Sequence, residues 1–282
     1  MKLLITGAGG FVGEKLCKSF IKKYNIYKVS SNLTKEDNSF NIDLTNDKMV
    51  KELIDKLSKD KIDIIINLAS KVSSPTSTYD LNILNDNILI TKNIIRITKD
   101  LNPKHLINFS SMSVYPNVSG SFSEGSMISP QNNNDCLYGL SKYSSEVLID
   151  FFLKEISTKV SHLRIAQIYG EGMREDRIIP TMLKELKDNN SITVFGDGIR
   201  TSNFIEINKL IKIVDHIILN KIVGLYNVGD QNLNYCDLAK ILIEEHGDSL
   251  SKIIRKKKGS KAKFNLDVSK IEDTILKHNV KK

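Results

Sequence analysis

The sequence predicts an α/β fold, in which a doubly wound parallel sheet carries helices on both faces and a smaller, mixed C-terminal lobe packs against it. Three observations predict this fold. Short apolar runs of strand length alternate with helical patterns up to Gly170. A glycine-rich turn joins the first of these strands to the first helix. Beyond Gly170 the alternation loosens, which indicates a second, less regular part of the chain.

The predicted strands are short runs of Ile, Val, Leu and Phe, which are typical of parallel strands buried on both faces. They cover residues 3–5, 26–29, 40–44, 62–68, 105–109, 160–168 and 192–195. Right-handed crossovers between parallel strands place helices on both faces of the sheet. A ligand site is then expected outside the carboxyl ends of the strands.

The predicted helices have apolar residues at helical spacing. The first begins at residue 10, and the others cover about residues 47–59, 81–99, 143–155, 178–187, 208–219, 235–245 and 268–277. Residues 118–135 are rich in Ser, Gly and Asn, so we expect an exposed loop there.

The composition is that of a globular chain long enough for one large domain, or for a domain with a smaller partner. No apolar run reaches the length of a bilayer span, and residues 3–5 alone are too few for a secretory signal. Cys17, Cys136 and Cys236 are far apart and lack metal-ligand spacing, which is typical of free thiols in a reducing compartment. We therefore expect a cytoplasmic protein with no membrane partner and no metal site.

The net charge of +8 comes mainly from lysines spread along the chain, with one cluster at residues 252–263. No aromatic residue interrupts this cluster, so it lacks the stacking side chains of a nucleic-acid surface. We interpret it as a solvated surface segment, with an anionic ligand or partner as the alternative. No nucleic-acid partner is expected.

Residues 1–16 contain the first functional motif. Gly7, Gly10 and Gly13, with the additional Gly9, lie between the first strand and the first helix. Glycines at these positions permit a tight turn, a close approach of the backbone to a phosphate, and close packing of helix on strand. The start of the helix offers unpaired N–H groups and the positive end of its dipole to a pyrophosphate. Glycines also mark ordinary loops, but this position favours a dinucleotide-binding turn.

The second motif is Tyr138-Gly139-Leu140-Ser141-Lys142. On a helix, Tyr138 and Lys142 share one face. An ammonium group beside a phenol favours the phenolate and lowers the pKa of the tyrosine toward that of a general base. An isolated pair at this spacing is more often a surface tyrosine and a solvated lysine. Ser111 favours the catalytic interpretation, because it follows a predicted strand and its hydroxyl could bind the substrate oxygen whose proton Tyr138 transfers.

Together these motifs resemble the extended short-chain dehydrogenase/reductase family of NAD(P)-dependent epimerases, dehydratases and ketoreductases. The resemblance is close up to Gly170 and looser beyond it. The matching positions, in chain order, are Thr6 to Gly13, Asp43-Leu44, Asn67-Leu68-Ala69-Ser70, Asn87, Ser111 before Val114-Tyr115, Tyr138 with Lys142, and Leu163-Arg164 with Tyr169-Gly170.

The resemblance implies a Rossmann-like sheet with catalytic residues Ser111, Tyr138 and Lys142, of which Lys142 also binds the nicotinamide ribose. The cofactor-binding residues that it implies are Gly7, Gly9, Gly10, Phe11, Val12, Gly13, Ser30, Ser31, Asn32, Asp43, Leu44, Leu68, Ala69, Ser70, Asn87, Tyr138, Lys142 and Ile165. The expected substrate contacts are Ser111, Ser113, Gln167 and Arg200.

The resemblance also implies a division of the chain. Residues 1–168, rejoined by about residues 203–229, would form the dinucleotide-binding domain. Residues 169–202 and 230–282 would form a substrate-binding lobe.

The chain departs from the family pattern at two functional places. Where nucleotide-sugar enzymes of the family commonly have an Arg-Asp pair that reaches the substrate phosphate, this sequence has Ser202-Asn203, and Lys209 stands where an aspartate is usual. Arg200 could substitute for the missing arginine. Met112-Ser113 occupies the place of the acidic pair of sugar 4,6-dehydratases, so dehydration is not expected.

The resemblance therefore favours an epimerase or a ketoreductase that transfers hydride between a nicotinamide and a sugar carbon, with a nucleotide-linked sugar as substrate. Two alternatives stay open. One is a reductase of a small non-sugar carbonyl, which the missing phosphate arginine would suit. The other is a non-catalytic cofactor-sensing or RNA-binding relative, because a fold does not determine a function.

The cofactor and the assembly follow from two further stretches. The end of the second strand, Val29 to Asn32, has no acid to hold the ribose hydroxyls of NAD. Its small hydroxyls, with Lys35, slightly favour NADP over NAD. The family commonly forms dimers through two helices of each subunit, so we expect a homodimer. The helices here would be 81–99 and 143–155, with Ile83, Ile90, Ile94, Leu148, Phe151 and Phe152 as apolar surface.

Overall fold

The structure, a computed structural model, describes residues 1–34, 36–74 and 76–279. Its strands are β1 (Lys2–Thr6), β2 (Asn25–Ser30), β3 (Ser39–Asn41), β4 (Ile64–Asn67), β5 (His105–Ser111), β6 (Gly120–Phe122), β7 (Lys159–Ile165), β8 (Gln167–Tyr169), β9 (Ser191–Phe195), β10 (Thr201–Glu206), β11 (Gly224–Val228), β12 (Gln231–Asn234), β13 (Lys252–Lys256) and β14 (Phe264–Leu266). Its helices are α1 (Phe11–Phe20), α2 (Asp47–Leu57), α3 (Asn82–Leu101), α4 (Cys136–Leu153), α5 (Ile178–Asn189), α6 (Ile207–Asn220), α7 (Tyr235–His246) and α8 (Ser269–Asn279).

The central sheet has seven strands in the order β11-β7-β5-β4-β1-β2-β3. Every neighbouring pair in it is parallel. The apolar runs of β1, β4 and β5 are fully buried because helices cover both faces of the sheet. The predicted doubly wound parallel sheet is therefore confirmed. The strand order reverses between β1 and β4, and such a reversal opens a crevice at the carboxyl ends of the strands.

Three smaller sheets are built from the later strands. Strand β10 pairs antiparallel with β12 and parallel with β8, while β13 pairs with β9 and β14 pairs with β6. A separate apolar cluster lies among these elements, formed by α5, α7, β9 and β10 with residues such as Met182, Phe204 and Leu242. The smaller mixed part of the fold is thus observed. Where one domain ends and the next begins stays a prediction.

Several element bounds differ from the sequence predictions. Helix α4 begins at Cys136 rather than residue 143, so the Tyr138 motif lies in its first turns. The strand predicted at 40–44 is β3, which ends at Asn41. The strand predicted at 160–168 is divided at Ala166, where β7 ends in the central sheet and β8 begins in another.

The predicted loop 118–135 and the basic cluster 252–263 also contain strands. The loop includes β6, which pairs with β14, and the cluster includes β13, which pairs with β9. These short strands are stabilised by partners far away in the sequence, so local composition gave no signal for them. Lys256 and its following lysines are nevertheless exposed, as the solvated-segment interpretation expects.

Two negative findings concern the described part of the chain. No helix within residues 1–34, 36–74 and 76–279 is long and apolar enough to cross a membrane. Across the same residues, no three His, Cys, Asp or Glu side chains lie together as metal ligands would.

Candidate active site

A cavity of about 1100 Å³ opens at the carboxyl ends of the central strands and continues toward the smaller sheets. It collects nearly all of the side chains that the sequence singled out. The predicted residues on its wall are Gly7, Gly9, Gly10, Phe11, Val12, Gly13, Ser30, Ser31, Asn32, Asp43, Leu44, Leu68, Ala69, Ser70, Ser111, Ser113, Tyr138, Lys142, Ile165, Gln167 and Arg200. Residues that are far apart in sequence therefore meet at one site, while their individual roles stay predictions.

The glycine turn forms one end of the cavity. Gly10 N donates to Gly7 O at 3.1 Å, which closes a tight turn between β1 and α1. A Cβ on Gly13 would lie 2.2 Å from Gly7 O, so only glycine allows α1 to pack this closely on the turn. The first N–H groups of α1 point from the helix start, where a pyrophosphate would be held. The turn therefore fits a dinucleotide.

The end of β2 forms the neighbouring wall. Ser30 Oγ donates to Asn32 Oδ1 at 3.1 Å, and neither position carries an acid. Asp43 also lines the cavity, and its Oδ1 accepts from the backbone and hydroxyl of Thr45 at 2.9 and 2.8 Å. Lys35, which contributed to the expectation of NADP, lies outside the described residues.

Asn87 is the exception among the predicted cofactor-binding residues. It is buried on α3 and is not on the cavity wall. Its Oδ1 accepts from Lys71 N at 2.7 Å and from Ser70 Oγ at 3.1 Å, and its Nδ2 donates to Lys71 O at 2.9 Å. Its predicted role in cofactor binding stays a prediction. Asn87 supports the loop after β4 from behind, and it is Ser70 that faces the cavity.

Ser111, Tyr138 and Lys142 meet beside the end of β5. Lys142 is buried, and its Nζ donates to Phe109 O at 2.7 Å and lies 5.7 Å from the centre of the Tyr138 ring. Ser111 Oγ accepts from Ser113 N at 3.1 Å. A Cβ on Gly139 would lie 2.1 Å from Ser113 O, so this glycine allows α4 to approach the turn after β5.

The pKa of Tyr138 differs from the sequence expectation. Removal from water raises the pKa of Tyr138 to about 12, and the opposing effects of Ser70, Arg177 and Ser111 are smaller. Burial also lowers the pKa of Lys142 to about 8, against the opposing effect of Glu146. In this structure the pKa of Tyr138 is therefore raised by desolvation, rather than lowered by the lysine as the sequence leads one to expect.

Arg200 also lines the cavity. Its guanidinium lies 5.3 Å from the centre of the Tyr235 ring, and its buried Nε has no hydrogen-bond partner among the described residues. Gln167 faces the same space, and its Nε2 donates to Ser202 Oγ at 2.8 Å. An arginine in this state is available to an anionic ligand.

Sequence reasoning missed Arg177 and Asp135, which also line the cavity. Arg177 Nη2 donates to Ser73 O at 3.2 Å, and Ser73 Oγ donates to Asp135 Oδ1 at 2.8 Å. For Arg177 the available signal was the charged stretch of residues 171–177, which follows the carboxyl end of β8.

The chain matches a family model and is similar to several known proteins. Residues 3–229 match the model of the NAD dependent epimerase/dehydratase family. The dTDP-D-glucose 4,6-dehydratase of Dictyostelium discoideum is 29% identical over 271 residues, which cover 86% of this chain and 61% of that protein. The putative UDP-glucose 4-epimerase of Methanocaldococcus jannaschii is 26% identical over 286 residues, which cover 96% of this chain and 91% of that protein.

A solved structure shares the fold across nearly the whole chain. The UDP-glucuronic acid 4-epimerase of Bacillus cereus, in complex with UDP-glucuronic acid and NAD, superposes with a TM-score of 0.81 at 25% identity. The superposition covers 98% of this chain and 93% of that one. With the family model matched over 3–229 of 282 residues, the predicted resemblance is confirmed, and the chain belongs to the NAD dependent epimerase/dehydratase family.

Proposed function

We propose that this protein is an NAD(P)-dependent epimerase or ketoreductase that acts on a nucleotide-linked sugar. The observation that carries the proposal is the convergence of Ser111, Tyr138 and Lys142 in the same cavity as the glycine turn. A nicotinamide cofactor bound along that turn would supply the hydride acceptor or donor. An epimerase would return the hydride to the opposite face of the same carbon, whereas a ketoreductase would release the reduced product.

The proposed role of Tyr138 is proton transfer. When the substrate carbinol is oxidised, its O–H proton passes to the Tyr138 oxygen while its C–H hydrogen leaves as hydride. Ser111 orients the same substrate oxygen and stabilises its developing charge. Lys142 and the positive charge of an oxidised nicotinamide favour the phenolate, which offsets the effect of burial on the tyrosine.

The proposed substrate class rests on the relatives and on Arg200. The M. jannaschii relative is named as a UDP-glucose epimerase, and the B. cereus structure contains UDP-glucuronic acid. In this chain, Arg200 lines the cavity and its Nε has no hydrogen-bond partner among the described residues, so its guanidinium is suited to the diphosphate of such a substrate. The match spans only 61% of the D. discoideum dehydratase, and Met112 and Ser113 supply no acid/base pair for dehydration.

Reduction of a small non-sugar carbonyl is the second candidate. Ser202 stands where a phosphate-binding arginine is common, and its hydroxyl is already occupied by Gln167. In that case Arg200 would contribute nothing to substrate affinity.

For the cofactor, we propose NADP as the preferred form, although the B. cereus structure contains NAD. The hydroxyls of Ser30 and Ser31 leave room for a 2′-phosphate, and no acid at the end of β2 would repel it. Fluorescence titration with NADH and NADPH compares the two forms, and tighter NADH binding would reject this preference. Ser30→Asp should weaken NADPH binding by about tenfold or more, with a smaller effect on NADH.

The experiment that tests the proposed function combines cofactor release and substrate screening. The purified protein is denatured, and the supernatant is analysed for bound nicotinamide nucleotides. The intact protein is then incubated with UDP- and dTDP-linked sugars and with their 4-keto forms, and products are separated by chromatography. Tyr138→Phe serves as the matched inactive protein. Turnover of small carbonyls alone would favour the second candidate, and cofactor binding without any turnover would favour a non-catalytic relative.

A further inference from the structure

The inner face of α4 holds the end of β5 through residues that are four apart. Tyr138, Lys142 and Glu146 lie in line along this face. Lys142 Nζ donates to Phe109 O at 2.7 Å, and the hydroxyl of the next residue, Ser110, donates to the Glu146 carboxylate. Two successive residues of β5, immediately before Ser111, are thus bound by two successive turns of α4.

Glu146 is part of a buried ion pair with Arg164. The two side chains are only 6% and 3% exposed. Arg164 Nε donates to Glu146 Oε1 at 3.0 Å and Arg164 Nη2 to Oε2 at 2.7 Å, which is a bidentate pair. Arg164 stands opposite Ser110 in the β5–β7 register, and its Nη1 also donates to the Tyr115 oxygen at 2.9 Å.

The charged and titratable groups around Lys142 come from several elements. Tyr138 and Glu146 belong to its own helix. Arg164 from β7 pairs with Glu146 and also donates to Tyr115, in the turn after β5. Arg177 and Asp135, which also line the cavity, act on Tyr138. Of these groups, it is Glu146 whose negative charge raises the pKa of Lys142. Burial of the lysine acts the other way and lowers this pKa.

We propose that Glu146 is a positioning residue for this site: it fixes the end of β5 against α4 and holds Lys142 as an ammonium ion. The inference rests on the proposed function, because Lys142 is the residue that would bind the nicotinamide ribose. A glutamate with only a structural role would stabilise the fold through Arg164 and would leave the ionisation of Lys142 unchanged.

The test uses Glu146→Gln and Arg164→Gln, which each remove one charge of the same buried pair. Binding of NADH and NADPH is measured by fluorescence from pH 6.5 to 10, with thermal melting as the check of folding. In the wild type, binding should weaken above about pH 8 as Lys142 loses its proton. Glu146→Gln should move this weakening to lower pH by about one unit, whereas Arg164→Gln, which leaves the carboxylate unpaired, should move it to higher pH.

A second measurement follows Lys142 without the cofactor. Acetylation of its amine by acetic anhydride, quantified by peptide mass spectrometry at each pH, reports the same ionisation. Glu146→Asp keeps the charge and should restore wild-type behaviour. If Glu146→Gln does not fold, Arg164→Gln carries the test through its expected shift to higher pH, and no shift or a shift to lower pH in that variant rejects the inference.

The outcomes separate the two proposals. Suppose that both single variants lose thermal stability but the pH midpoint of Lys142 deprotonation does not move, or moves in the same direction in both. Glu146 then has only a structural role and the inference is rejected. If the wild type binds no nicotinamide nucleotide, the proposed function fails. Opposite shifts in the acetylation midpoint would then still support the role of Glu146 in the ionisation of Lys142.

Discussion

At the scale of single residues, Tyr138 is the group on which the proposed chemistry depends. Tyr138→Phe keeps the ring and its packing beside Lys142 but removes the oxygen that transfers the proton. Turnover of the identified substrate should fall by roughly two to four orders of magnitude, with cofactor affinity and thermal stability retained. Steady-state kinetics measure the turnover, and a cofactor titration and thermal melting of the same preparation measure the affinity and the stability. Near-normal turnover would remove Tyr138 from the mechanism.

A second prediction for a single residue concerns Arg200 and the affinity for the substrate. If its guanidinium binds the substrate diphosphate, Arg200→Gln should raise KM for a nucleotide sugar by about tenfold to a hundredfold, because a charge-assisted hydrogen bond is lost. The kcat value should change little, since the reacting carbon is elsewhere in the cavity. The matched control is Arg174→Gln, because Arg174 lines the same cavity but is already paired with Asp176. An equal KM for Arg200→Gln and wild type would favour a substrate without a diphosphate.

His105 should make the fold sensitive to acid. Its ring is 5% exposed, and burial lowers its pKa from 6.5 to about 4. The Ser161 hydroxyl donates to Ile222 O at 2.7 Å, so at the 2.7 Å contact between His105 Nε2 and Ser161 Oγ the ring is the donor. The lowered pKa keeps the ring neutral at pH 7. Between pH 6.5 and 4 the unfolded chain binds a proton that the folded chain does not, so stability falls as the pH is lowered through this range.

The expected loss from His105 is about 2–3 kcal/mol between pH 7 and 4.5. Urea unfolding of wild type and His105→Gln at the two pH values measures it, since glutamine keeps a donor to Ser161 but does not titrate. The glutamine variant should lose less stability on acidification by about that amount. The control is His246→Gln, because the His246 side chain is 53% exposed. This variant should lose as much stability between the two pH values as the wild type does. If His105→Gln and the wild type lost equal stability between the two pH values, the loss could not be assigned to His105.

At the scale of elements, the approach of α4 to the turn after β5 decides whether Ser111 and Tyr138 share a site. Gly139 makes this approach possible, because an added Cβ would lie 2.1 Å from the backbone oxygen of Ser113. Gly139→Ala should destabilise the protein by about 2–3 kcal/mol and lower turnover, although alanine favours an isolated helix by about 1 kcal/mol. Thermal melting and kinetics test this.

Gly125→Ala is the matched control for Gly139→Ala. Nothing lies within 4 Å of an added Cβ at Gly125, so its stability should stay within about 0.5 kcal/mol of the wild type. A Gly139→Ala protein as stable and active as the Gly125→Ala protein would mean that α4 can withdraw from the turn without consequence.

At the scale of the whole molecule, we propose that α3 and α4 form a dimer interface. Of the predicted interface residues, Ile83 and Ile94 are wrong, because they are buried in the core of the monomer. Phe151 and Phe152 are exposed, and Leu89 and Val147 add apolar surface to the same helix pair. A groove of about 520 Å³ between the helices, lined by residues such as Ile88 and Leu140, continues this surface.

Light scattering at micromolar concentration should give twice the 31.8 kDa mass of the chain. Leu89→Arg combined with Val147→Arg should give the monomer, because charges would be buried without partners at the interface. The control is Leu276→Arg, at an exposed position on α8, which should leave the dimer intact. A wild-type protein that stays monomeric would exclude this assembly.

The sequence by itself determined the parallel sheet, the glycine turn and the spacing of Tyr138 and Lys142. These are local properties, since strand burial, helical periodicity and glycine positions are written within short stretches of chain. It also indicated that Ser111 would join them, because the carboxyl ends of parallel strands meet at one edge of a sheet. The family model matches residues 3–229, which confirms the predicted family.

The tertiary structure alone decided which polar groups face the cavity and which charges leave water. Asn87 lies behind the loop that its side chain holds, while Arg177 reaches the cavity from a stretch with no family motif. The pairing of β6 with β14 depends on residues far apart in the sequence, which no local pattern encodes. The high pKa of Tyr138 arises from desolvation, and Glu146 pairs with Arg164 where the fold buries both side chains. Burial of this kind is a property of the packed fold.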